Sequence, residues 1–238
     1  MLLAIRGLSK SYGSVKAADG ICMTIASGDA VGVIGPNGAG KSTLFNLITG
    51  SVAPDAGEIL LKGVDISRAK PHQRCLAGIA RSFQIPLPFE NLTVFENLLV
   101  AATHGRSQPT DDPAVFCAGI LERTSLLPRA NTLAGTLTLL ERKRLEMARA
   151  LATAPELLLL DEIAGGLTES ECIALVATIN DIRASGTTIV WIEHIVHALL
   201  SVVDRLIVLN FGKKITEGDP QAVMDSPEVR EIYTGIAA

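Results

Sequence analysis

Gly35-Pro-Asn-Gly-Ala-Gly-Lys41-Ser42-Thr43 follows the apolar run Ala30–Ile34 and precedes the helix-compatible stretch Leu44–Gly50. It fits the pattern G-x-x-x-x-G-K-[ST], and a strand before and a helix after are the context that pattern requires. Gly35, Gly38 and Gly40 let the backbone bend around Pro36, Asn37 and Ala39, so that successive N–H groups point inward at phosphate oxygens beside the positive end of the next helix. Lys41 is then placed to reach β- and γ-phosphates and Ser42 to ligate Mg²⁺, with Thr43 closing the motif. A nucleoside triphosphate site is the first expectation.

Composition bounds what surrounds that site. The 238 residues are 48% hydrophobic and 19% charged, enough for one large packed α/β domain or two small ones. A net charge of −4, a pI near 5.6 and scattered Lys and Arg argue against a duplex-binding surface, so no nucleic-acid partner is expected. Cys22, Cys75, Cys117 and Cys172 lie far apart without a C-x-x-C pair and read as small apolar fillers in a reducing compartment, the cytosol. Met1–Gly7 lacks the apolar core of a signal peptide, and no run approaches the roughly 18 uninterrupted apolar residues of a membrane span. A mean hydropathy of +0.36 is high for a soluble domain and suggests apolar surface that faces a partner.

Along the chain, Leu2–Ser9 and Ile21–Ile25 read as strands closed by Tyr12-Gly13 and Ser27-Gly28-Asp29, and Glu58–Lys62 as a third. Together they predict an antiparallel lobe that holds the base end of the nucleotide. Tyr12 at a strand end reads either as an aromatic that stacks on a purine or as ordinary packing. From Pro86 to about Ala150 the pattern is helical. Thr93–Ala102 has apolar residues at helical spacing with Glu96-Asn97 on the opposite face, Arg142–Thr153 continues likewise, and polar Thr103–Pro113 is a loop. The β pattern resumes with Glu156–Asp161, whose four consecutive leucines suit a strand buried on both faces of a parallel sheet. Thr187–Glu193 and Arg205–Leu209 follow, with a helix over Glu169–Ser185 closed by Gly186 and two short terminal helices signalled by Asp219-Pro220 and Ser226-Pro227. Strand, helix, strand in repetition means a mostly parallel core sheet.

Phosphoryl transfer requires charge neutralisation and a positioned water rather than covalent help. Asp161, at the C-terminal end of a buried strand, is the expected Mg²⁺ anchor, directly or through a ligand of the ion, and Glu162 beside it the group that polarises the attacking water.

With these residues in place, the chain resembles the ATP-binding-cassette (ABC) ATPases. Tyr12 is similar to the family's adenine-stacking aromatic, Arg81-Ser-Phe-Gln84 to its glutamine loop, Trp191-Ile-Glu-His194 to its switch histidine, and Leu145–Leu151 to the helix after its signature. The resemblance implies a P-loop NTPase of ABC type: one domain over 1–238, with a nucleotide-binding core at about 1–85 and 151–238 and an inserted helical subdomain at about 86–150. It implies ATP and Mg²⁺ as cofactors, a role for Gln84 in sensing Mg²⁺ and signalling to the helices, and a contact of His194 with the γ-phosphate. His72, His104 and His197 match nothing.

Arg81-Ser-Phe-Gln84, Asn91–Val100, Glu217-Gly-Asp-Pro220 and Tyr233-Thr-Gly235 look most like the ATPase subunits of branched-chain amino-acid importers. The lipopolysaccharide exporter's ATPase has the same build, so these residues leave transport direction open. The resemblance implies transmembrane permease partners, a peripheral place on the cytoplasmic membrane face, and a second ATPase subunit.

Two positions depart from the family. Its signature Leu-Ser-Gly-Gly-Gln, which caps the ATP of the opposite subunit, falls on Leu137-Thr138-Leu139-Leu140-Glu141, bringing apolar bulk and a carboxylate toward phosphate. Thr168 stands where the family's D-loop aspartate is expected. A heterodimer with an intact partner is therefore favoured over a homodimer. Two function classes stay in view, an ATP-hydrolysing engine and an ATP-gated clamp.

Overall fold

Four leucines in a row can all be buried only if both faces of their strand are covered, and that is the arrangement in this computed structural model, which describes residues 1–105 and 111–234. Leu158 and Leu160 face a core built with the helices, while Leu157 and Leu159 face a second core shared with an antiparallel sheet.

The chain opens with a hairpin of β1 (Leu3–Tyr12) and β2 (Val15–Ile25), then β3 (Ala30–Ile34) leads through the glycine loop into α1 (Lys41–Thr49). Next come β4 (Ala56–Leu61), β5 (Val64–Asp65), α2 (Pro71–Leu76) and β6 (Ile79–Ser82). The helical block is α3 (Val94–His104), α4 (Pro113–Arg123) and α5 (Leu139–Ala152). The chain closes with β7 (Leu157–Asp161), α6 (Glu169–Ala184), β8 (Thr188–Ile192), α7 (Val196–Leu200), β9 (Arg205–Asn210), β10 (Lys213–Gly218), α8 (Pro220–Asp225) and α9 (Pro227–Thr234).

Two sheets result, one in the order β2-β1-β4-β5 and one in the order β10-β9-β3-β8-β7-β6. The first is antiparallel throughout. The second is parallel except at its β9–β10 edge. The fold is the expected α/β class, with a mostly parallel core sheet, an antiparallel lobe and helices inserted between β6 and β7.

Local chemistry fixes the helix starts. Thr93, Thr138 and Thr168 are N-caps whose hydroxyls accept the N3 amide, and Glu96, Glu141 and Glu171 reach back to the cap amide, a reciprocal box that satisfies two orphan donors. At the other end of α6, Gly186 takes φ 90°, the left-handed residue that ends a helix.

Several expectations shift. Asn97 is not on a polar outer face: it is buried, and its amide holds the backbone of Phe89 and Thr93. Helix α5 starts at Leu139 rather than Arg142 because Thr138 and Glu141 close its first turn. Cys117 and Cys172 are buried fillers, but Cys22 is exposed on the outer face of β2, where its sulfur accepts the Gly7 N–H at 3.1 Å. Positions 106–110 of the expected loop and Gly235 lie outside the described residues.

Candidate nucleotide site

The glycine loop owes its shape to contacts that only glycine permits. A Cβ on Gly35, at φ 153°, would stand 2.1 Å from the Leu209 carbonyl oxygen, and one on Gly40, at φ 101°, would stand 2.2 Å from the Ala17 carbonyl oxygen. The loop is thus pressed between β9 and the first hairpin, with Asn37 and Gly38 exposed at its mouth. Lys41 is buried, and its ammonium donates to the carbonyl oxygens of Gly35 at 2.7 Å and Pro36 at 3.0 Å. It folds back into the cradle that would receive an anion. Burial pulls its pKa below the ordinary value, against the opposing pull of Glu162 and Asp161.

The other polar groups arrive from the C-terminal ends of adjacent parallel strands. Glu162 follows β7 in a left-handed conformation, φ 48°, a strained state that surrounding structure must hold; its amide donates to the Ile192 carbonyl oxygen at 2.8 Å. Gln84, just past β6, donates Nε2–H to Glu162 Oε2 at 2.5 Å, and His194, just past β8, meets Glu162 Oε1 through Nε2 at 2.7 Å. Both carboxylate oxygens are engaged, one from each neighbouring strand.

Asp161, buried at the end of β7, pairs with Arg81 of β6. Ser42 is exposed at the start of α1. Hydroxyl, carboxylate and amide oxygens at Ser42, Asp161 and Gln84 are hard donors of the kind Mg²⁺ takes, usually alongside several waters.

Tyr12 ends β1 opposite Val15, half exposed, with Lys10 Nζ 5.8 Å from its ring centre. It stands at the hairpin turn, while Ala17 of the same hairpin is what touches Gly40.

The altered signature sits at the start of α5. Glu141 does not project its charge outward: its carboxylate accepts from the Thr138 amide at 2.9 Å and hydroxyl at 3.0 Å, and Arg129 Nε donates to it at 2.8 Å. The Thr138 amide, chiefly, holds its pKa below the ordinary value. Leu139 is exposed, and a Cβ on Gly166 would lie 3.4 Å from its Cδ2. Thr168 caps α6, a position that aspartate would also suit.

Four groups with no role in the sequence reading prove central. Asn46 and Arg81 link α1 to Asp161. Glu193 is buried, accepting the amides of Ala164 at 3.0 Å and His194 at 2.9 Å, so it fixes the backbone behind Glu162 and His194. Lys143, buried in α5, donates to the Glu162 carbonyl oxygen at 3.4 Å, its pKa lowered by burial against the pull of Glu193 and Glu162. The available signal was position: Arg81 and Glu193 lie inside the quoted Arg81–Gln84 and Trp191–His194 stretches, and Asn46 and Lys143 in the helices after the glycine loop and at the signature.

An ammonium, an anion cradle, two adjacent carboxylates, an imidazole and an amide therefore converge on one sheet edge. Known proteins share this architecture. The family model described as ABC transporter matches residues 18–165. The high-affinity branched-chain amino acid transport ATP-binding protein BraF of Pseudomonas aeruginosa is 34% identical over 99% of this chain and 98% of its own. The lipopolysaccharide export system ATP-binding protein LptB of Haemophilus influenzae is 33% identical over 98% of this chain and 97% of its own. A crystal structure of a nucleotide-free ATP-binding cassette from an ABC transporter superposes with a TM-score of 0.90 at 31% identity, covering 99% of both chains.

Proposed function

The chain belongs to the ABC transporter family as an ATP-binding, ATP-hydrolysing subunit, and from that premise we propose that it drives import of branched-chain or related amino acids. It would do so at the cytoplasmic face of a membrane beneath transmembrane permease subunits and beside a second ATPase subunit. Among the described residues no helix is long and apolar enough to cross a membrane, which fits a subunit held through partners.

The observation that carries the hydrolytic reading is the Glu162 carboxylate, gripped by Gln84 and His194 beside Lys41 and Asp161. In this reading residues 35–43 wrap the phosphates and Lys41 leaves its loop carbonyls for the β- and γ-phosphates. Glu162 accepts the proton of the attacking water, and His194 donates to the γ-phosphate once it releases Glu162. Mg²⁺, held by Ser42, Asp161 and Gln84, would neutralise phosphate charge. Tyr12 stacks on the base. The nucleotide-binding core spans about 1–85 and 151–238, and the helices of about 86–150 carry the signal from Gln84.

Glu162→Gln is expected to keep ATP binding while steady-state phosphate release falls about 10²-fold or more, since an amide cannot accept that proton. Lys41→Ala is expected to abolish phosphate release and weaken Mg-ATP binding. Parent-rate release in Glu162→Gln would leave the ATP-gated clamp as the better reading. The similarity to an LptB keeps a lipid or polysaccharide exporter as the second reading for the solute. Leucine-stimulated hydrolysis by the complex reconstituted with its permease decides between them, since an exporter would not respond.

A further inference from the structure

Arg81 is nearly enclosed, its side chain 8% exposed and that of its partner Asp161 6%. One prong of the guanidinium goes to Asp161 Oδ2 and the other to Asn46 Oδ1, at 2.7 Å, on the helix that follows the glycine loop. Two rings lie near the guanidinium, the centre of Phe45 of α1 5.5 Å and that of Phe83 4.9 Å from its central carbon. Phe45 is fully buried, whereas Phe83 is 49% exposed. Arg81 Nε is buried without a hydrogen-bond partner. An orphaned donor on a buried guanidinium requires an explanation: its orientation serves the two prongs at the expense of its own satisfaction.

Arg81 and Phe83 also line a groove of about 270 Å³ between the core sheet and α5, with Thr49, Ser51, Glu146 and Arg149. A single side chain thus touches the groove wall on one side and the strand-end carboxylate on the other. Asp161 Oδ1 takes no side-chain hydrogen bond among the described residues, which leaves one oxygen of that carboxylate for a cation.

We propose that Arg81 is the positioning residue of the Asp161 carboxylate: it holds Oδ2 and leaves Oδ1 for the cation, and Phe83 supports the guanidinium from the groove side. The proposal rests on the reading of Asp161 as the cation anchor. An arginine fork is suited to the task because it spans two acceptors in one plane, which a lysine ammonium cannot do.

The test reads Mg²⁺ dependence of nucleotide binding, not turnover, with a fluorescent ATP analogue titrated with Mg²⁺ and, separately, in EDTA. Arg81→Lys keeps the buried charge compensated, so the fold is retained. It is expected to raise half-saturating Mg²⁺ about tenfold, the low end of what losing a partner of a metal ligand costs, while affinity in EDTA stays within about twofold. Phe83→Ala, a half-exposed residue, is expected to shift half-saturating Mg²⁺ in the same direction by a smaller factor. Asp161→Asn is expected to remove most of the Mg²⁺ dependence, and Arg81→Lys added to it to change nothing more. Parent-like Mg²⁺ dependence in Arg81→Lys, or equal losses with and without Mg²⁺, would overturn the positioning role, because a structural counter-ion predicts one or the other. Full Mg²⁺ dependence in Asp161→Asn would overturn the anchor reading as well, and that variant alone separates the two failures.

Discussion

Glu146 shows what a single side chain in this molecule must tolerate. It lies buried on α5, and desolvation raises its pKa above the ordinary 4.5 against the opposing pull of Arg149 and the amides of Phe83 and Leu87. An acid whose folded pKa stands above its unfolded value binds protons more tightly when folded. The stability it contributes is therefore present below the ordinary value and lost as pH rises through the raised one. Glu146→Gln cannot ionise, and Arg149 retains its bond to the Leu87 carbonyl oxygen at 2.9 Å. The variant is expected to gain on the parent in melting temperature as pH rises above about 4.5, and thermal melts between about pH 4 and pH 8 measure the gap. A gap that shrinks with rising pH would mean that the ion pair with Arg149, and not desolvation, dominates. Nothing in the sequence marked Glu146, because its burial comes from the Phe83–Leu87 segment folding over it. Lys41, Asp161 and Glu162 were legible because their chemistry is carried by motif spacing.

Among the elements, the segment between β6 and α3 presents its apolar side chains in a way that ordinary loops do not. Ile85 is 70%, Leu87 75% and Phe89 47% exposed, yet the backbone beneath is fastened. Arg149 holds the Leu87 carbonyl oxygen, its guanidinium lies 5.0 Å from the centre of the Phe89 ring, and the buried Asn97 amide takes both backbone groups of Phe89. An apolar row on a pinned backbone is the kind of surface on which a partner such as the proposed permease would dock. Leu87→Ser with Phe89→Ser is expected to leave ATP binding and melting temperature nearly unchanged, since exposed substitutions cost within about 0.5 kcal/mol, while releasing the subunit from membranes that carry its permease. Fractionation of co-expressing cells measures this, and retention on the membrane would place the contact elsewhere. The segment's hydrophobicity was legible; its fastening by Asn97 was not, because helical spacing put that residue outside. The four-residue β6 and the six-residue α2 were missed for want of length, whereas β3, β7 and α6 carried long enough patterns.

The whole molecule turns on strand order. The glycine loop, Glu162, His194 and Gln84 follow β3, β7, β8 and β6, and the sheet places these as β3-β8-β7-β6, so groups scattered over the chain meet along one edge, where open α/β sheets bind ligands. Insertion of β8 between β3 and β7 could not be read from periodicity, which gives the strands but not their neighbours.

At this scale the altered signature has its consequence. The start of α5 is intact as a helix end: Thr138 and Glu141 cap each other, and Arg129 balances the carboxylate. The charge expected to repel phosphate is therefore compensated, and the remaining departure is the bulk of Leu139, exposed beside Gly166, and of Leu140. If this edge caps a partner's nucleotide, as the resemblance implies, those side chains keep the first-turn amides from the phosphate. A homodimer would then hold two poorly capped sites, and a heterodimer with an intact partner would hold one good site built on this chain's Lys41 and Glu162. Leu139→Gly, Leu140→Gly and Glu141→Gln together are expected to raise the ATPase rate of the isolated protein about tenfold, part of the ~10² that one missing transition-state donor costs. Glutamine also serves at the third position of a capping box, and the two glycines cost up to about 1 kcal/mol each in helix stability, so a melting curve separates a lost helix from a lost function. An unchanged rate in a folded variant would mean that the motif caps as it stands through its amides, and the reason to favour a heterodimer would go with it.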